Sequence, residues 1–168
     1  MKRKKLTASM IALVMSVSLP MTTYAANWYL EDGSVTVNAD NSGQTVTQGG
    51  TSTPDEAPVI TQRESSVETG NTIGISTSDN ATANVTIKDI NIKSSNDAID
   101  VKGSFSANIT LEGDNKIFSE TGSALHISDG NVTINGSGSL KAEIQDDLGS
   151  DYNHNAKIGS HEKEDMSG

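Results

Sequence analysis

Few side chains in this chain have types and spacing that could do chemistry. "NDAID", Asn96 to Asp100, sets two carboxylates three residues apart, and His126 follows one repeat later. A carboxylate pair working with an imidazole is the raw material of acid–base catalysis. In the sequence, however, no basic residue stands at the position of the next repeat that would match Asp97 or Asp100. His126 reads as a solvated strand residue rather than a base, because no activating partner can be named for it. His154 and His161 fall in a polar tail. A second candidate is "NADNSG", Asn38 to Gly43, with oxygen ligands at alternate positions and glycine at the sixth. The twelfth position of such a calcium loop should be a bidentate Glu, and here it is Gly49, so a hairpin turn is the better reading. Asp97, Asp100, Asp114 and Asp129 keep calcium open as a cofactor elsewhere, against the default of solvated acidic turns. Asn-x-Thr occurs at Asn80, Asn84, Asn108 and Asn131, and Asn-x-Ser at Asn135. Three of these five belong to a strand repeat, so coincidence explains them better than glycosylation.

The elements that must hold these residues come after a leader. "MKRKK" is a basic start, and Leu6 to Leu19 is an apolar stretch too short to span a bilayer. Thr23 and Ala25 supply the small residues before a cleavage point, so residues 1–25 read as a signal peptide cut between Ala25 and Ala26. Removing its four basic residues leaves 8 basic against 22 acidic side chains, a net charge of −14. That balance disfavours nucleic acid and anionic membrane as partners and suits a secreted or cell-surface protein. Cysteine is absent, which excludes a disulfide scaffold and a thiolate metal site.

No helical periodicity appears. Val35–Val37 and Thr45–Thr47 predict two short strands around a turn. Gly49–Pro58 predicts an irregular loop, and Val59 starts a further short strand. Beyond it, "NVTI" at Asn84, "NITL" at Asn108 and "NVTI" at Asn131 recur at intervals of 24 and 23 residues. Two further classes follow in the same order: "INI" at Ile90, "KIF" at Lys116 and "SLKA" at Ser139, then "AIDV" at Ala98, "ALHI" at Ala124 and, loosely, "AKIG" at Ala156. Three strands per repeat of about two dozen residues predict an all-β fold, a right-handed parallel β-helix. Val85, Ile109 and Val132 should form one interior column, and Thr86, Thr110 and Thr133 an outward one. Asn84, Asn108 and Asn131 either form an amide ladder or tolerate the preceding turn. The organisation expected is a signal peptide (1–25), N-terminal cap strands and loop (26–69), coils (70–144), and a degenerate coil or disordered polar tail (145–168). Leu140, Ala142 and Ile144 lack a covering element after them, so the solenoid is expected to be incomplete at its C-terminus and frayed from about Gln145.

Parallel β-helices host pectin lyases and polygalacturonases, whose chemistry needs clustered carboxylates, or calcium with a basic proton acceptor. The lone arginine after the leader, Arg63, lies outside the repeats. The expectation is therefore no enzyme and no catalytic residue, with an active or inactive polysaccharide-degrading enzyme as the alternative. Three stretches, "NWYLEDGSVTV…GQTVTQGG", "TPDEAPVITQR" and the "NVTI…AIDV" coils with "GSGSLKA", resemble a group of secreted β-helical proteins of Gram-positive gut bacteria. Those proteins are described as carbohydrate-binding domain-containing or adhesin-like. The resemblance spans most of Asn27 to Ala142, and "NAKIGS" at Asn155 departs from the family's "GAGIGG" turns. It implies adhesion or binding of an extracellular or cell-wall polysaccharide, with no membrane contact beyond the export signal. Candidate glycan contacts are Trp28, Tyr29, Thr86, Thr110 and Thr133, although Trp28 is also suited to covering the open end of the stack.

Overall fold

The computed structural model describes residues 25–145 and the backbone of 158–160. The leader, His154, His161 and most of the tail lie outside those residues. Where β-branched residues alternate with polar ones, the chain forms short strands whose apolar side chains face one interior. In Ser106–Glu112, for example, Ala107, Ile109 and Leu111 are buried and Glu112 is exposed. The strands stack into a parallel β-solenoid of about three turns.

Sheet A runs in the order β1 (Asn27–Tyr29), β5 (Val59–Thr61), β7 (Thr82–Lys88), β10 (Ser106–Glu112) and β13 (Asn131–Gly136), all parallel. Sheet C holds β8 (Asn91–Ser94), β11 (Asp114–Ser119) and β14 (Ser139–Ile144), again parallel. Sheet B stacks β2 (Val35–Asp40), β6 (Ile73–Thr77), β9 (Ile99–Lys102), β12 (Leu125–Ile127) and β15 (Ile158–Ser160) in parallel. Each coil therefore visits A, then C, then B. Interior columns such as Val35–Ile73–Ile99–Leu125 and Ile92–Ile117–Ala142 follow from equivalent strands pairing with each other.

The expected hairpin forms, with β2 and β3 (Gly43–Gln48) antiparallel. The turn between them is Asn41–Ser42, within "NADNSG", and the Asp40 carboxylate accepts the backbone N–H and hydroxyl of Ser42. That side-chain-to-backbone bonding is a usual reason for Asp in a turn. The expected loop at Gly49–Pro58 is only partly irregular, because Thr51–Pro54 forms β4, an exposed antiparallel edge strand on β3. Its alternating Thr and Ser residues suit a strand, and β3 supplies the ladder partners. Trp28 packs against the core at the outermost strand of sheet A and donates its indole N–H to Asp55, 2.8 Å away. Buried Gln44 closes the same end, since its side chain both donates to the Asn84 carbonyl and accepts from the Asn84 N–H.

Two expectations about register need correction. Ile109 does stack on Val85, but its partner in the next coil is Ile134, and Val132 lies over Ala107. The outward columns shift with it: Thr110 faces Asn135, and Asn108 faces Thr133. The amide ladder thus has two rungs, with Asn108 Nδ2 donating to Asn84 Oδ1 at 3.0 Å, and Asn131 stands beside Ser106 instead. The motif sits two residues earlier in its strand, since Asn131 is the first residue of β13 whereas Asn108 is the third of β10, and in the corner just before it Gly130 adopts φ +81°. A Cβ there would stand 2.2 Å from the Phe105 carbonyl oxygen. In sheet B, Ile158 pairs with Leu125, one residue off the expected "AKIG" alignment.

Candidate functional site

The corner before β9 and the outer face of sheet B bring Asp97, Asp100 and His126 together. Parallel register sets His126 directly beside Asp100. The expectation that the two carboxylates lack a basic partner in the next coil is therefore overturned. His126 Nδ1 lies 3.0 Å from Asp100 Oδ1 and 3.6 Å from Asp97 Oδ2. Aligning "AIDV" at Ala98 with "ALHI" at Ala124 already sets Asp100 opposite His126, a 26-residue step. What the sequence did not show is that Asp97, at the corner before β9, comes within 3.6 Å of the same ring.

Each carboxylate has one oxygen held elsewhere. Asp97 Oδ1 accepts the Ser123 N–H at 2.7 Å, and the Lys102 ammonium lies 2.6 Å from Asp100 Oδ2. The hydrogen bond to Asp100 raises the Lys102 pKa above its ordinary value. The remaining oxygens, Asp97 Oδ2 and Asp100 Oδ1, are the ones that face the imidazole. All three residues are half-buried. Such a cluster can share a proton between imidazole and carboxylate, or present three ligand atoms to a cation.

The outer face of sheet A holds four of the five residues expected to contact glycan. Thr86, Thr110 and Thr133 do not form a single column, and the Thr110 hydroxyl donates to Asn135 Oδ1 at 3.1 Å. Tyr29 lines a shallow groove of about 450 Å³ with Arg63, Lys88 and Glu112. The Arg63 guanidinium lies 4.0 Å from the ring centroid and bonds both oxygens of Asp32. That stack covers one face of the only aromatic ring in the groove. Trp28 belongs to the opposite, inward side of β1.

The outer face of sheet C was not singled out by the sequence. Asn91, Lys116 and Lys141 form one outward row, and Lys93, Phe118 and Glu143 the next. The alternation in β11 turns Ile117 inward and Phe118 outward, half-buried. Lys141 is paired with Glu143 at 2.9 Å and Lys93 lies 4.0 Å from Glu68. Lys116 has no carboxylate within ion-pair distance among the described residues, and it faces Lys141 across one strand spacing of about 4.8 Å. Grooves of about 190 and 410 Å³ flank Lys116 on this face. Comparison of the chain with protein-family models, with curated proteins and with solved structures finds no match in any of the three.

Proposed function

We propose that this chain is an exported, non-catalytic β-solenoid that binds an extended extracellular or cell-wall polysaccharide along the outer face of sheet C. The observation that carries this reading is Lys116, unpaired among the described residues, beside Lys141 and two residues along the same face of β11 from the half-buried ring of Phe118. Like charges on neighbouring strands disfavour each other, and a bound acidic sugar would relieve that repulsion. An aromatic ring beside amide and ammonium donors offers one apolar and several polar contacts to a pyranose. Coils about 4.8 Å apart repeat those contacts along a polymer. The net negative charge of the chain opposes approach only weakly, since screening at physiological salt acts over about 8 Å. The resemblance to adhesin-like proteins supports the same reading, and the leader supports export.

The test is a glycan array probed with the full chain, followed by titration of any ligand found. K116Q and F118A should each weaken binding at least tenfold, whereas T86V should leave it unchanged. Binding that is insensitive to K116Q and F118A would move the ligand off this face.

One observation favours a second reading, a polysaccharide-degrading enzyme: His126 stands within hydrogen-bond distance of Asp100. Release of reducing or unsaturated ends from acidic polysaccharide, abolished by D100N, would establish it in place of the first.

A further inference from the structure

We infer that Asp97, Asp100 and His126 form a binding site for a divalent transition ion, with zinc as the representative case. This does not rest on the polysaccharide reading, and concerns a different sheet. The first support is geometry. Zinc bonds nitrogen and oxygen at about 2.0–2.1 Å in tetrahedral sites, so neighbouring ligand atoms stand about 3.4 Å apart. His126 Nδ1 lies 3.0 Å from Asp100 Oδ1 and 3.6 Å from Asp97 Oδ2, which brackets that value. Ligand atoms of all three residues lie within 4.8 Å of one another. Small rotations of half-buried side chains suffice to close the set on an ion.

The second support is orientation from outside the set. Metal-binding carboxylates and imidazoles are commonly fixed by groups that do not touch the metal. Here the Ser123 N–H holds Asp97 Oδ1 and Lys102 holds Asp100 Oδ2, which leaves the inner oxygens directed at His126. Two carboxylates, one ammonium and a neutral imidazole sum to −1, a favourable field for a dication.

The third support is access. The outward row across sheet B reads Thr36, Gly74, Asp100, His126, Gly159. The Asp–His pair is thus flanked on both neighbouring strands by residues without side chains. Among the described residues, neither register neighbour puts a side chain over the site. The donor set also selects among ions. Calcium takes six to eight oxygen ligands, whereas imidazole with carboxylate suits zinc and its neighbours. Three protein ligands leave a fourth position open for water or a second molecule.

The experiment titrates the untagged full chain with zinc chloride by calorimetry, and repeats it with calcium chloride. One zinc per chain is expected, weakened at least tenfold in H126Q and in D100N, with circular dichroism showing both variants folded. His154 and His161 could bind zinc on their own, so the H154Q/H161Q double variant is run alongside and should retain the site. Calcium should give no comparable heat. Absence of zinc binding, affinity unchanged in H126Q, or loss of the site in the H154Q/H161Q variant would each overturn the inference.

Discussion

Replacing Asn115 with Ala tests how the solenoid holds its coils in register. Asn115 is 1% exposed and points inward from β11, where its amide touches three successive coils. Its Oδ1 accepts the Ile90 N–H at 3.3 Å, and its Nδ2 donates to the carbonyls of Glu112 and Ser139, each at 3.0 Å. Ile90 is fully buried, so its N–H would lose its partner away from water, at about 1–3 kcal/mol. The two carbonyls belong to exposed residues and can turn to solvent, so each lost bond costs about 0.5–1.5 kcal/mol. The sum is about 2–6 kcal/mol, a large share of the total stability of a domain this size. N131A serves as the control, since Asn131 is exposed. Surface changes of that kind fall within about 0.5 kcal/mol. The assay is urea unfolding followed by circular dichroism and by amide NMR signals from β8, β11 and β14, which also reports whether the coils melt together. A loss below about 1 kcal/mol in N115A would refute the reasoning, because it would mean that the amide adds no net bonding across the coils.

Other outcomes follow from the same geometry. I109D buries an unpaired carboxylate at a site 2% exposed and should cost at least about 4 kcal/mol, whereas I134D, 37% exposed in the last described coil of sheet A, should cost about 1 kcal/mol in the same denaturation series. G130A should be more destabilising than G49A: both positions have positive φ, but only at Gly130 would the new Cβ meet backbone, 2.2 Å from a carbonyl oxygen. The bidentate hydrogen bond from Arg63 holds the Asp32 carboxyl below its usual range. A depressed carboxylate pKa contributes stability above the unfolded value, lost as pH falls through the folded one. R63A should therefore raise the NMR titration midpoint of Asp32 toward the ordinary value, and the small loss of stability from this exposed pair should be seen at neutral pH and vanish in acid below the folded midpoint. Glu31 should stay low in R63A. Partial burial pushes its pKa up, but the backbone N–H groups of Glu31, Glu64 and Arg63 outweigh that, and they survive the substitution.

The sequence by itself determined the class of fold. Three strand types recurring in one order, with β-branched residues at alternate positions, leave a parallel solenoid as the arrangement that buries every apolar row. It also determined which side chains face in, because the strand period is two and the pattern in "NITLE" admits one assignment. Register was a different matter. Pairing Val132 with Ile109 and pairing Ile134 with Ile109 differ by two residues, so both keep apolar side chains inside. Only a one-residue slip would have turned them out. Strand β13 begins at its Asn, directly after the close approach that Gly130 permits, whereas β10 begins two residues before its own, and neither start is visible in strand patterning. The candidate sites were only partly legible. Aligning "AIDV" with "ALHI" sets Asp100 opposite His126, but Asp97 joins them only through the folded corner before β9, and Lys116 and Phe118 share a face with Lys141 only once β11 and β14 are aligned. Asn115, directly before "KIF", was not singled out by the sequence. Its inward position and its three bonds across neighbouring coils exist only in the stacked solenoid, where a buried amide must find partners on the coils above and below.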